Sequence, residues 1–238
     1  MNSDGAKIVS FSGIDGAGKT TQIDALLTYL RQRGLRTKLF TFWDNVVVLS
    51  HFRERVSLKA FRGDKGVGSP DNPIIRRDKN VRSWYVVAFR LFLYALDAFS
   101  LRMAVARSSS DPEADVVIFD RFIYDELANL PLNSAMMKLY IRMILGIVPA
   151  PHVAFLIDAD PAAAASRKPE YPLEFVRTNR DAYVSLAMLS GTITILPPAS
   201  VAETAEGIKT AFVQNCLRGL EPTIPPVGTA HAAEIPRA

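Results

Sequence analysis

The chain opens on an apolar run, Lys7-Ile8-Val9-Ser10-Phe11, followed by a glycine-rich break and then Thr21-Gln22-Ile23-Asp24-Ala25-Leu26-Leu27. The first run is patterned as a buried strand and the second as one face of a helix. The alternation recurs downstream. Residues 36–42, between Gly34 and the polar pair Asp44-Asn45, read as a second strand. Residues 115–121 and 152–158 are apolar runs ending in charge, the form of buried parallel strands, and 192–196 form a last short one. A long apolar segment from about 81 to 106 reads as a helix, and a final helix runs from about 201 to 218. Strands alternating with helices require right-handed crossovers. The expected fold class is therefore α/β, a three-layer arrangement with a parallel sheet of about five strands and helices on both faces. There is no internal repeat.

Residues 1–220 read as one domain, and 221–238, with Pro222, Pro225, Pro226 and Pro236 among alanines, as a disordered tail. The most membrane-like stretch, residues 84–103, is interrupted by Arg90, Asp97 and Arg102, so it is expected to be a buried helix with one polar edge and no membrane partner. On that helix Ser83, Arg90 and Asp97 recur every seven residues, with Tyr94 one turn beyond Arg90. They share a face that either lines a pocket or meets solvent.

Composition sharpens this picture only slightly. An apolar fraction of 49% among 238 residues supplies a full core. The net charge of +4, from 28 basic and 24 acidic residues, suits anionic ligands but is too mild to imply nucleic acid. A single cysteine, Cys216, excludes an intramolecular disulfide framework and a cysteine-based zinc site, so a reducing, cytoplasmic setting is expected. Met1 to Lys7 lack the build of a secretion signal. Residues 51–82 gather Arg53, Arg55, Lys59, Arg62 and five further cations around Gly63, Gly66, Gly68, Pro70 and Pro73. This segment is either a solvated basic loop, the simpler reading, or one that closes over a phosphorylated ligand.

The chemistry concentrates in Gly13-Ile14-Asp15-Gly16-Ala17-Gly18-Lys19-Thr20, a complete G-x-x-x-x-G-K-[ST] pattern set between the first strand and first helix. Glycines permit a tight turn whose amides point inward, and the helix that follows adds the positive end of its dipole. Gly13, Gly16, Ala17, Gly18, Lys19, Thr20 and Thr21 would cradle a bound ligand's phosphates, with Lys19 reaching the β- and γ-phosphates and Thr20 ligating Mg²⁺. Asp120, ending a buried strand, is placed to hold Mg²⁺ or orient an acceptor, and Arg121 to grip an acceptor phosphate. A structural ion pair is the competing account of these two. Asp160-Pro161 begins a short helix ending in Arg167-Lys168, a candidate lid over about 160–170 that would lower Arg167 onto the γ-phosphate.

Residues 11–22 resemble the phosphate loop of thymidylate kinases, including the acidic residue two after the first glycine and the trailing Thr21-Gln22. Asp120-Arg121-Phe122 resembles that family's Asp-Arg-Tyr/Phe signature, and Asp158 through Arg167, Glu170 and Tyr183 its lid region. The likeness spans roughly residues 7–215. It implies a P-loop kinase fold and transfer of the γ-phosphate of Mg-ATP to dTMP or a related nucleoside monophosphate. It also implies a homodimer, Asp15 near the acceptor sugar, Arg121 near the acceptor phosphate, and catalytic roles for Lys19, Asp15, Arg121 and Arg167. In that family an arginine comes from the loop or the lid. Gly16 and Ala17 stand in the loop here, so Arg167 is the candidate, with Lys168 in reserve.

The chain also departs from the family. Thr41-Phe42-Trp43-Asp44-Asn45 replaces Thr-Arg-Glu-Pro-Gly-Gly, Ala98 follows Asp97 where an arginine is common, and Asn129-Leu130 replace a Tyr-Gln pair. Arg90 or a residue of the basic loop is then the candidate to replace the acceptor arginine, Trp43, Trp84 or Tyr94 to stack on a base, and Arg90, Tyr94 and Asp97 to line the acceptor pocket. A different acceptor, or a nucleotide-binding module without transfer activity, stays open.

Overall fold

The structure is a computed structural model that describes residues 5–46 and 84–217. The basic segment 51–82, Ser83 and the tail from 221 lie outside the described residues. The elements in chain order are β1 (Lys7–Ser12), α1 (Lys19–Gln32), β2 (Thr37–Thr41), α2 (Phe42–Asn45), α3 (Trp84–Ser109), β3 (Val116–Asp120), α4 (Ile123–Leu127), α5 (Ala135–Ile147), β4 (Val153–Ile157), α6 (Pro161–Arg167), α7 (Leu173–Ser190), β5 (Ile193–Leu196) and α8 (Val201–Cys216). The five strands form one sheet in the order β2-β3-β1-β4-β5, and every pairing is parallel.

Side-chain alternation along the central strands explains the three layers. Val9, Phe11, Val116, Ile118, Val153, Phe155 and Ile157 pack on one side with Ile23, Leu26 and Leu30 of α1 and Ile208 and Phe212 of α8. Ile8, Val117, Phe119, Ala154 and Leu156 point the other way, into a larger core with Leu101 of α3, Ile123 of α4, Ile141 of α5 and Leu186 of α7. A strand buried on both faces has to be apolar throughout, which is why β3 and β4 read as continuous runs. Polar signals set the helix ends. Asp160 caps α6 by accepting from the Ala163 amide at 2.8 Å, with Pro161 at the first helical position. Ser200 and Glu203 form a reciprocal capping box on α8.

Three features refine the sequence reading. Strand β2 stops at Thr41 because Phe42 is fully buried and opens a helical turn, with Asn45 Oδ1 accepting from the Thr41 amide at 2.9 Å. Helices α4, α5 and α7 occupy stretches for which the apolar pattern set out no separate element. Helix α3 reverses the expectation of a buried cylinder with a polar edge. Asp97 is fully buried, while Phe92 and Phe99 are 58% and 60% exposed, because no described element covers that side. Among the described residues no helix is long and apolar enough to cross a membrane.

Phe155 has no exposed surface and stacks at a tilt on Phe11 with ring centroids 5.3 Å apart. Truncation there removes the centre of the smaller core. Phe155→Ala should cost about 3–5 kcal/mol in a urea titration, with the midpoint falling and the slope unchanged.

Candidate active site

In this strand order β1 and β4 are neighbours, and the connections that leave their carboxyl ends diverge, one toward β2 and the other toward β5, which opens a crevice between them. The glycine-rich loop leaves β1 at that point. Gly13 has φ of 141°, and a Cβ there would sit 2.6 Å from the Ile157 carbonyl oxygen. Gly16 has φ of 80°, and its Cβ would meet the Ala164 carbonyl oxygen of α6 at 2.3 Å. The loop is thus pressed against β4 on one side and the candidate lid on the other, with only backbone at both contacts. Gly18, at φ of 93°, is the N-cap of α1, which has neither a side-chain cap nor an acid in its first turn. Its leading amides are left to meet an anion.

Lys19 is buried beneath the loop, its Nζ donating to the carbonyls of Gly13 at 2.8 Å and Ile14 at 2.9 Å. Burial, and then the nearby Arg121 charge, lower its pKa to about 8, with Asp125, Asp15 and Asp120 opposing the shift. At the end of β3, burial raises the Asp120 pKa although Lys19 and Arg121 pull it down. Among the described residues Asp120 Oδ1 is buried without a hydrogen-bond partner. A buried carboxylate oxygen left unmet at the mouth of a phosphate loop fits a hydrated divalent cation, for which the exposed Thr20 hydroxyl at the start of α1 would be a second oxygen.

Arg121 is the one described non-glycine residue in the left-handed region, with φ of 69°. Its amide donates to the Phe11 carbonyl at 2.9 Å, so the backbone of β1 holds the unusual turn in place. The turn sends the guanidinium between two acids. One Nη bonds Asp15 of the loop, and Nη1 bonds Asp125 Oδ1 at 3.1 Å. Burial works against its charge, and the carboxylates outweigh that penalty, so its pKa rises. Burial likewise raises the Asp15 pKa, but Arg121, Lys19 and Lys168 more than reverse the effect, holding Asp15 ionised below the usual range. Lys168, just past α6, lies 3.9 Å from Asp15 and 3.3 Å from Glu170.

The structure therefore gathers Gly13, Asp15, Gly16, Ala17, Gly18, Lys19, Thr20, Asp120 and Arg121 around one crevice. Thr21 is exposed on the first turn of α1. Arg167 ends α6 with its side chain exposed, and its neighbour Lys168 is the cation that turns toward the loop. On α3, Arg90 is half-buried, whereas Tyr94 and Asp97 are buried. This excludes a solvent-facing edge for the latter two. Burial first, and then the charges of Glu126 and Asp97, raise the Tyr140 pKa, which places all three near one another beneath α3.

Sequence reasoning missed Asp125, Glu126, and the role of Tyr183. Asp125 accepts four hydrogen bonds: from Ser12 Oγ at 2.6 Å, the Phe122 amide at 3.1 Å, the Tyr183 hydroxyl at 2.7 Å and Arg121. Two adjacent acids inside the apolar run that follows Phe122 were the available signal. At the far end of the candidate lid, Arg180 of α7 clasps Asp158 through two bonds of 2.7 Å each.

No protein-family model matches the chain. Among solved structures it is similar to the thymidylate kinase of Candida albicans, described as revealing the origin of broad substrate specificity. That match has a TM-score of 0.59 and 15% identity, and covers 90% of this chain and 94% of that one. It is also similar to the thymidylate kinase of Ehrlichia chaffeensis, with a TM-score of 0.52 and 19% identity, covering 87% of this chain and 99% of that one. The chain has the three-layer fold of the thymidylate kinases.

The lowered Lys19 pKa generates a pH dependence. An anion bound in the loop favours the protonated amine, so binding draws in a proton wherever free Lys19 is partly neutral. Affinity of the loop for a polyphosphate anion should be flat below about pH 8 and weaken above it. Calorimetry at pH 8.5 in buffers of different ionisation enthalpy should register net proton uptake, and Lys19→Arg should abolish it.

Proposed function

We propose that this chain is a nucleoside monophosphate kinase of the thymidylate kinase type, transferring the γ-phosphate of Mg-ATP to dTMP or a related acceptor. One observation carries the reading: buried Lys19, half-buried Arg121 and the unmet oxygen of Asp120 converge on a phosphate loop at the sheet's crevice. The fold of the two neighbours supports it. When bound, Mg-ATP supplies the transferable phosphoryl group and the charge neutralisation that a divalent cation provides.

The chain's own residues do the rest. Lys19 exchanges two loop carbonyls for phosphate oxygens, carrying its charge into a site where water is scarce. Thr20 and Asp120 hold the cation. Arg121 orients the acceptor phosphate, Asp15 the acceptor sugar, and Arg90 and Tyr94 the acceptor's other end, while Asp97, fully buried on the same helix, does not touch it directly. Arg167, with Lys168 beside it, meets the transferring group from the lid, where charge spreads in the transition state.

A second reading keeps this core and changes the acceptor. It rests on the end of β2, where exposed Trp43 and Asp44 stand in a segment that in the family holds an acceptor arginine. ADP release measured across a panel of acceptors separates the two readings: turnover with dTMP supports the first, and turnover only with other acceptors replaces it. Magnesium-dependent ATP binding without turnover on any acceptor would indicate a binding module.

A homodimer belongs to the same proposal. Phe89, Phe92, Phe99 and Met103 of α3 are exposed, as are Met136, Leu139, Met143 and Ile147 of α5. The two helices are tied by Tyr140 donating to the Leu91 carbonyl at 2.6 Å and Arg102 to the Ile147 carbonyl at 2.8 Å. Eight exposed apolar side chains on adjoining helices are the kind of surface that a second copy would cover. A cytoplasmic setting fits a chain whose single cysteine is buried and free.

Two outcomes are expected. Lys19→Ala should abolish turnover, and Arg167→Ala should lower kcat about 10³-fold while shifting ATP affinity less than threefold, because a lid cation acts on the transition state. In sedimentation velocity, Phe99→Asp combined with Leu139→Asp should convert a dimer to a monomer without unfolding it.

A further inference from the structure

We infer that Asp125 is a positioning residue, the fixed anchor of Arg121, and that Asp15 is the partner Arg121 exchanges when an acceptor arrives. The inference rests on the proposed role of Arg121 toward an acceptor phosphate. The two carboxylates that share the guanidinium differ in kind. Asp125 is 3% exposed, and donors from three separate parts of the fold meet it: Ser12 of β1, Tyr183 of α7, and the Phe122 amide that leads into its own helix. With Arg121 Nη1 included, each of its oxygens accepts two bonds, an acceptor-only role that a carboxylate fills completely. Nothing in this arrangement can turn without stranding a buried donor.

Asp15 is only half-buried and lies on the glycine loop. Its described partners are the same guanidinium and Lys168 at 3.9 Å, beyond hydrogen-bond length. An anion entering the crevice can replace Asp15 at the outer face of Arg121 while Nη1 keeps its inner bond. The anchor thus sets the direction in which the remaining N–H groups point. Positional precision of this kind decides how well a bidentate cation meets phosphate. Tyr183 acts one step further out, donating the hydroxyl proton that completes Asp125 Oδ1.

The test has two arms. In protein labelled with ¹³C,¹⁵N-arginine, the Arg121 guanidinium signal, assigned by its loss in Arg121→Lys, should show slow rotation and separate Nη resonances in the free wild type. Asp15→Asn should keep that pattern, whereas Asp125→Asn should collapse it. Equal collapse in both variants, or collapse in Asp15→Asn alone, overturns the anchor. In the second arm, calorimetric Kd values are read for dTMP and, separately, for Mg-ATP. Asp125→Asn should weaken dTMP about 10–100-fold and Tyr183→Phe about fivefold, with Mg-ATP within twofold in each. A parallel loss of both ligands, or no change in dTMP binding by folded variants, overturns it. If Asp125→Asn does not fold, Tyr183→Phe carries both arms, with partial averaging of the guanidinium signal expected and an unchanged signal overturning the anchor. Wild-type protein that does not bind dTMP would sink the acceptor reading while the first arm still decides the anchor.

Discussion

A guanidinium charge withdrawn from water at the foot of the crevice is the constraint around which this site is arranged. Arg121 occupies a backbone conformation that L side chains avoid, and the Phe11 carbonyl holds it there. Its side chain then has to find anions, and it finds one in the core and one on the loop. Removing Asp125, the buried partner, would leave a largely desolvated charge uncompensated, a greater loss than breaking an exposed surface pair. The network therefore joins β1, β3, α4, α7 and the phosphate loop more tightly than apolar packing alone would, and through Asp15 it extends to Lys168 just past α6.

The parallel sheet makes that network feasible. All five carboxyl ends lie along one edge, so a strand end, a loop and a helix start that are far apart in sequence share a few ångströms of space. Lys19 and Asp120 are a hundred residues apart along the chain, yet each perturbs the other's proton affinity. Each is also shaped by Arg121, so the crevice behaves as one coupled set of charges.

Much of this was legible in the amino-acid order, for reasons that differ by residue. The glycine loop is a backbone requirement written directly at Gly13, Gly16 and Gly18, and the strands β3 and β4 announce themselves because burial on both faces leaves no room for polar positions. Asp125 was not legible: its bond to Arg121 exists only because the chain turns into α4 straight after Phe122, and Tyr183 reaches it from a helix 58 residues on. Arg167 and Lys168 are adjacent, but the chain leaves helical geometry at Lys168, with φ of −139° and ψ of 80°, and where the helix ends decides which cation faces inward, finer than an apolar pattern resolves. The exposed aromatics of α3 were hidden for the opposite reason, since a sequence records that a residue is apolar but not whether anything covers it.

The contact at Gly16 carries a wider consequence. With the α6 backbone 2.3 Å from where a Cβ would stand, any side chain at that position and a helix seated at that height are mutually exclusive. A loop-borne cation at this position and the present placement of α6 are therefore alternatives between which no single substitution can pass. Descent from one arrangement to the other would require the helix to lift and the loop to gain its arginine together.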